Sequence, residues 1–117
     1  MPERGRTKMK RYISSAIRNP EEEPAEVRMQ LAGNPNTRED VLLSLSADKL
    51  CWSELAENPS TPLYILKRIF PGGGYWVDQA IIQHPNMDSA TLTDMIKSGR
   101  LAPSNCRLAK ERRKNMQ

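Results

Sequence analysis

The chain has 117 residues, of which 38% are hydrophobic, and a mean hydropathy of −0.68, so we expect one domain with a small or elongated core. The two cysteines, Cys51 and Cys106, lie far apart in the sequence, which excludes a disulfide framework and a zinc site. The sequence has no apolar leader and no run of ~18 apolar residues, so we expect a soluble, cytoplasmic protein without a membrane helix. Residues 1–18 and 100–117 each carry six Lys or Arg and one Glu, whereas residues 19–99 carry six Lys or Arg and twelve Asp or Glu, so an acidic body lies between two basic ends.

The first segment, residues 1–23, is basic as far as Arg18. Basic ends are either solvated tails or contacts for a polyanion, and both interpretations stay open. The run YISSAIRNP is either a shortened extra copy of the repeat found at residues 24–99 or a chance Asn-Pro step. The candidate polyanion-binding residues of this segment are Arg4, Arg6, Lys8, Lys10 and Arg11.

Residues 24–99 contain a repeat of about 24 residues, marked by an X-Pro step. Asn34-Pro35 and Asn58-Pro59 are 24 residues apart, and His84-Pro85 follows 26 residues later, with the PGGG run at 71–74 to hold the two extra residues. Five positions are apolar in all three copies: Val27, Cys51 and Val77; Leu31, Leu55 and Ile81; Ala32, Ala56 and Ile82; Leu42, Leu66 and Leu92; Leu45, Ile69 and Met95.

Each X-Pro step predicts a corner between two short helices. The residue before a proline is forced out of the helical region, so the first helices are predicted to end at Gly33 and Glu57. Thr37 and Thr61 suit the N-caps of the second helices, and Asp88 is expected to cap the last of them. Positions seven and three residues before the step share one helix face, and so do positions eight and eleven residues after it.

One such pair of helices cannot bury its own apolar face, whereas stacked pairs can. The sequence therefore predicts an all-α fold, a short helical solenoid of about three repeats with terminal capping helices and no strand. Leu31, Leu55 and Ile81 are predicted to form a buried row between the stacked repeats.

Residues 100–117 are predicted to form a basic segment or a capping helix. The run NCRLAKERRKN suits a short helix, with Leu101, Cys106 and Ala109 available for packing. No apolar pattern pins this segment firmly, so both it and residues 1–11 are expected to be more mobile than the repeats. Its candidate polyanion-binding residues are Arg107, Lys110, Arg112, Arg113 and Lys114.

The pattern VRxxLAxNPxTxxxVLxxLxxD of the first copy resembles the leucine-rich repeat variant, a bacterial repeat of similar length. The residues that match it are Val27, Arg28, Leu31, Ala32, Asn34, Pro35, Thr37, Val41, Leu42, Leu45 and Asp48. The resemblance implies a right-handed superhelix of alternating α- and 3-10-like helices, without a strand and without one associated reaction. Some relatives carry a cysteine cluster for an iron–sulfur centre ahead of the repeats, but here no cysteine precedes Cys51.

No candidate reactive residue has the partners that catalysis or metal binding requires. His84 is the only histidine and replaces the corner asparagine, where a short polar side chain bonds local backbone. Cys51 lies in an apolar column and is expected in the core, and Cys106 has no second group to support a redox or nucleophilic role. We therefore expect no catalytic residue, no metal site and no cofactor.

Four aromatic residues are the candidate partner-binding residues: Trp52, Tyr64, Tyr75 and Trp76. Trp52 occupies the column of Arg28 and Asp78, and Tyr64 occupies that of Asp40 and Ala90; columns that tolerate charge are typical of solvent-facing positions. The four side chains either form one exposed binding patch or fold over the short solenoid and cover its core.

Two functions fit these features. The first hypothesis is a non-enzymatic scaffold that binds a protein partner through the repeats. The alternative is a nucleic-acid-binding accessory protein that uses the basic ends rather than the repeats. An enzyme is not expected, and the oligomeric state is left open.

Overall fold

The computed structural model describes residues 19–116, and all regular structure within that range is helical. The all-helical prediction is thus confirmed. Two 3-10 helices, Pro20–Glu22 and Lys49–Cys51, accompany the α-helices. The α-helices are α1 (Ala25–Gly33), α2 (Glu39–Leu45), α3 (Trp52–Glu57), α4 (Leu63–Arg68), α5 (Tyr75–Ile82), α6 (Ser89–Lys97) and α7 (Pro103–Asn115).

The helices form three pairs, each with a corner at an X-Pro step. We call α1, α3 and α5 the first helices and α2, α4 and α6 the second helices. Helix α1 ends at Gly33 and α3 ends at Glu57, as predicted. Asn34 and Asn58, which precede the prolines, are extended, with φ/ψ of −89°/122° and −80°/116°. The steric demand of proline therefore ends each helix one residue earlier.

The predicted threonine caps are wrong, because the second helices begin one residue later than those caps require. Arg38 is at the N-cap of α2 and Pro62 is at the N-cap of α4, and neither side chain caps its helix. Thr37 instead donates from Oγ1 to the carbonyl of Leu31, at 2.6 Å, and so satisfies the end of the preceding helix. The predicted cap of α6 is confirmed.

Asp88 is that cap: its Oδ1 accepts from the backbone N–H of Thr91 at 2.8 Å. The hydroxyl and backbone of Thr91 bond this carboxylate, which lowers the pKa of Asp88.

One apolar cluster runs through all three pairs. Helix α3 packs against α1 and α5, and α7 packs against α5 and α6. Leu31, Leu55 and Ile81 are at most 2% exposed and belong to this cluster, as predicted. The described part of the chain measures 49 × 24 × 22 Å, so the core is elongated.

The C-terminal segment is a packed helix, one of the two predicted alternatives, and its mobility relative to the repeats stays a prediction. Pro103 occupies the first turn of α7, where a missing N–H costs nothing, and Ala109 is fully buried against the neighbouring helices. The predicted packing of Leu101 is confirmed as well. The polyanion candidates of the N-terminal segment, and the run YISSAIRNP as far as Arg18, lie outside the described residues.

Candidate interaction surfaces and the corner ladder

A row of hydrogen bonds joins each corner to the one before it. Asn58 donates from Nδ2 to the carbonyls of Ala32 and Asn34, at 2.8 and 3.0 Å. His84 bonds from Nε2 to the carbonyl of Asn58, at 2.7 Å. We call the side chains of Asn58, His84 and Arg112, with the carbonyls that they bond, the corner ladder. A polar side chain is required at each buried corner, because its donor replaces the water that these carbonyls would otherwise bind.

His84 is a neutral member of this ladder. The backbone N–H of Asn86 donates to Nδ1 at 3.0 Å, so Nδ1 accepts and Nε2 carries the hydrogen that Asn58 receives. Burial lowers the pKa of His84, and the nearby Arg112 guanidinium adds to this, against the opposing effect of the Asn58 carbonyl. The imidazole thus reproduces the acceptor and donor of a corner asparagine, in agreement with the structural role predicted from the sequence.

A second set of bonds runs beside the ladder, two residues further along the chain. Ser60 donates from Oγ to the carbonyl of Pro35 at 2.6 Å. Asn86 donates from Nδ2 to the carbonyls of Thr61 and Pro59, at 2.9 and 3.2 Å. Neighbouring corners are therefore held in register at two points.

Helix α7 ends the ladder through Arg112. Its Nη1 donates to the carbonyl of His84 at 2.7 Å and to the carbonyl of Ile82. These two residues are equivalent to Asn34 and Ala32, whose carbonyls Asn58 bonds. Ala109 and Asn105 lie three and seven residues before Arg112, and both are buried, as are the residues three and seven before Asn58 and His84. This register is not evident from the sequence, because an arginine rather than an asparagine stands at the corner position and no proline follows it.

The other basic residues of α7 divide into two groups. Arg113 is half-buried and donates from Nη1 to Thr93 Oγ1 at 3.3 Å. Arg107, Lys110 and Lys114 are exposed and lie three and four residues apart, on one face of the helix. Of the candidate polyanion-binding residues within the described range, these three are therefore the ones best placed to meet a ligand.

Trp52 lies against the body of the protein. Its Nε1 donates to the carbonyl of Ser46 at 2.8 Å, and a Cβ at Gly72 would come within 3.4 Å of its ring. The Lys49 ammonium lies 5.8 Å from the ring centroid. The ring is half-buried and packs on the apolar cluster, which favours the covering interpretation for this residue.

Tyr64 lies on a second helix, α4, and is 46% exposed. Its hydroxyl donates to the Glu39 carboxylate on α2 at 2.7 Å, and this bond raises the pKa of Tyr64. Tyr75 and Trp76 lie together at the start of the first helix α5. The patch of all four aromatic residues stays a prediction, and its members lie on both rows of helices.

Tyr75 and Trp76 form an edge-to-face pair with ring centroids 4.9 Å apart. Tyr75 also bonds Ser104 through its hydroxyl at 2.8 Å, and its carbonyl accepts from Asn105 Nδ2 at 3.0 Å, so α7 fixes its position. Trp76 is 75% exposed. Leu50, which the sequence pattern does not mark as a candidate binding residue, is 59% exposed in the 3-10 helix that precedes α3.

Two buried ionisable groups have no catalytic arrangement around them. Cys51 is fully buried, as predicted, and burial, reinforced by the Asp48 carboxylate, raises the pKa of its thiol to about 11. It therefore stays protonated and unreactive at neutral pH. Asp78 is 6% exposed, and its Oδ1 has no hydrogen-bond partner among the described residues; burial raises the pKa of this carboxyl.

The pockets on the described surface include two that are smaller than usual ligand sites of ~300–1,000 Å³. An apolar one of about 150 Å³ lies between α4 and α6 and is lined by Leu66, Phe70, Ile81, Met87 and Met95 among others. Another of about 240 Å³, with a mixed polar and apolar lining, lies beside the Arg28–Asp48 ion pair, in which Nε and Oδ2 are 2.8 Å apart. Within residues 19–116, no three His, Cys, Asp or Glu side chains are grouped so as to hold a metal ion.

No family model matches the sequence, and no curated protein and no solved structure matches it either. The helices between residues 19 and 116 include none with both the length and the apolar character needed to cross a membrane.

Proposed function

We propose that the chain is a non-enzymatic scaffold that binds a protein partner on one side of a short right-handed helical solenoid of the leucine-rich repeat variant type. The corner ladder supports the repeat, because Asn58, His84 and Arg112 bond equivalent carbonyls of the corner before them. The residue pattern quoted for the first copy supports the type. A stack of this kind derives its stability from neighbouring pairs and leaves an extended surface free for recognition.

The observation that carries the binding proposal is an exposed apolar row on the first-helix side. Leu50 lies eight residues before Asn58, and Trp76 lies eight residues before His84. Because the ladder aligns Asn58 with His84, we infer that Leu50 and Trp76 are neighbours across the stack. Tyr75 contacts Trp76 and is 39% exposed. We call Leu50, Tyr75 and Trp76 the apolar row.

Exposure of this kind is typical of interface anchors. Trp and Tyr are enriched among the few residues that dominate binding energy, where truncation costs about 2 kcal/mol or more. The apolar row replaces Trp52 and Tyr64 as the proposed centre of the interface, since Trp52 bonds Ser46 and Tyr64 bonds Glu39.

The test is co-purification of partners with the tagged full chain from its native host. Trp76→Ala should release a discrete partner that the unchanged protein retains. Tyr64→Ala is the matched control, because it removes another exposed aromatic side chain from the other row of helices, and it should retain the partner. Retention of the same partner by Trp76→Ala, and by a Leu50→Ser, Trp76→Ala double variant, overturns this binding surface.

A second candidate function is nucleic-acid binding through α7. It is favoured by the shared, exposed face of Arg107, Lys110 and Lys114. Phosphate contacts by these three side chains would make log K fall with log salt at a slope of about −2.7 on duplex DNA, at about −0.9 for each phosphate neutralised.

A gel-shift assay with the full chain tests this candidate. Lys110→Ala with Lys114→Ala should weaken retardation of every duplex sequence equally and flatten the salt slope by roughly two contacts. Arg112 is unsuitable for this test because it belongs to the corner ladder. A full chain that gives no retardation at about 50 mM salt, where the ionic contribution is strong, excludes this function.

A further inference from the structure

The acidic charge of the body is concentrated on the first helices. Helices α1, α3 and α5 contain four carboxylates, Glu26, Glu54, Glu57 and Asp78, and one basic residue, Arg28. Helices α2, α4 and α6 contain three carboxylates and three basic residues, so they are balanced: Glu39, Asp40, Asp94, Lys67, Arg68 and Lys97.

The single basic residue of the first helices is already engaged. Arg28 Nε lies 2.8 Å from the Asp48 carboxylate, and its Nη1 donates to the carbonyl of Glu23. Glu26 and Glu57 are exposed and Glu54 is half-buried. The first-helix side therefore offers carboxylates that no described basic side chain neutralises.

These carboxylates continue the apolar row along the helices. Glu54 and Glu57 lie four and seven residues after Leu50, so all three share one face of the chain from the 3-10 helix through α3. Trp76 stands at the position equivalent to Leu50 in the next pair. A surface that combines an exposed tryptophan on α5 with carboxylates on the neighbouring helix α3 suits a cationic ligand, which gains from the ring face and from the charges together.

We propose that this side of the protein recognises a Lys- or Arg-rich segment of a protein, with a cationic side chain over Trp76 and its neighbours beside Glu54 and Glu57. The inference rests on the proposed scaffold function and names the chemistry of its partner. The apolar row alone would fit an apolar partner or a second copy of the chain, but the unneutralised carboxylates beside it select a basic one.

Fluorescence anisotropy of a labelled nona-arginine peptide, titrated with the full chain, tests the proposal. Binding should saturate and weaken as salt is added. Trp76→Ala should lower the affinity by about 3- to 30-fold, and Trp76→Leu should lower it as much, because it keeps apolar bulk and loses the ring face. Glu54→Gln with Glu57→Gln should lower the affinity and flatten the salt dependence.

Tyr64→Ala and Glu39→Gln are the matched controls, since they remove an aromatic ring and a carboxylate from the second helices. Both should bind the peptide as the unchanged protein does. Affinity that is unaffected by Trp76→Leu and by the double glutamine variant, or lowered equally by the controls, overturns the basic-segment proposal. If Trp76-dependent capture of a protein persists in that case, the scaffold function stands and only its partner chemistry is wrong.

Discussion

Replacing Asn58 with alanine removes the middle rung of the corner ladder. Asn58 is 1% exposed, donates to the carbonyls of Ala32 and Asn34, and accepts from the backbone N–H of Ser60 at 2.9 Å. Each hydrogen bond contributes about 0.5–1.5 kcal/mol net, and a buried carbonyl left without a donor costs about 1–3 kcal/mol. Because the substitution breaks three bonds and orphans a carbonyl at a buried residue, we expect a loss of about 2–4 kcal/mol, a large part of an ordinary domain's stability.

Urea unfolding, followed by the helical circular dichroism signal, measures this loss. Asn34→Ala is the matched control, because Asn34 is half-buried and, among the described residues, its side chain bonds only the N–H of Asn36, at 2.8 Å. That control should lose about 1 kcal/mol or less, the value of one partly exposed bond. Equal losses in the two variants would mean that the cross-corner bonds contribute nothing beyond the local turn, and the ladder argument would be refuted.

Three further outcomes are expected. Leu55→Ala should lower the free energy of unfolding by about 2–5 kcal/mol, and a loss below about 1 kcal/mol in the same urea assay would contradict its core position. Stability should fall as the pH drops below 6.5, because unfolded His84 takes up a proton that the folded form, with its lowered pKa, resists; His84→Asn should show a smaller fall across the same pH range. Trp52→Ala should lower the free energy of unfolding by about 2–3 kcal/mol, which is less than the loss for a fully buried tryptophan. An unchanged thermal midpoint would show that the ring only lies on the surface.

Proline sterics and apolar spacing made the helix ends and the core readable from the sequence. The residue before a proline avoids the helical region whatever its surroundings, so Gly33 and Glu57 could be placed as last helical residues. Leu31, Leu55 and Ile81 could be assigned to the core because they recur at one distance from the corner. Both signals are local, and neither depends on knowing the neighbouring helix.

The features that the sequence did not reveal depend on contacts between pairs. Thr37 bonds the preceding helix rather than capping the next one, and the two choices differ by only one residue in where α2 begins. Arg112 reaches its carbonyls with a long side chain, so no short polar residue marks the last corner. Leu50 is exposed in a 3-10 turn ahead of α3, a local element that the apolar columns do not reveal.

If the proposed stack of helix pairs is correct, the corner ladder has a consequence for the length of the protein. Three different side chains bond the carbonyl of the preceding corner: the amide of Asn58, the imidazole of His84 and the guanidinium of Arg112. Each of these corners presents a backbone carbonyl that a side chain of the next helix bonds. A duplicated pair of helices would therefore find compatible partners on both sides, and α7 would close the longer chain with the same arginine. We therefore expect that one pair of helices can be inserted or removed without a change in the helices at either end.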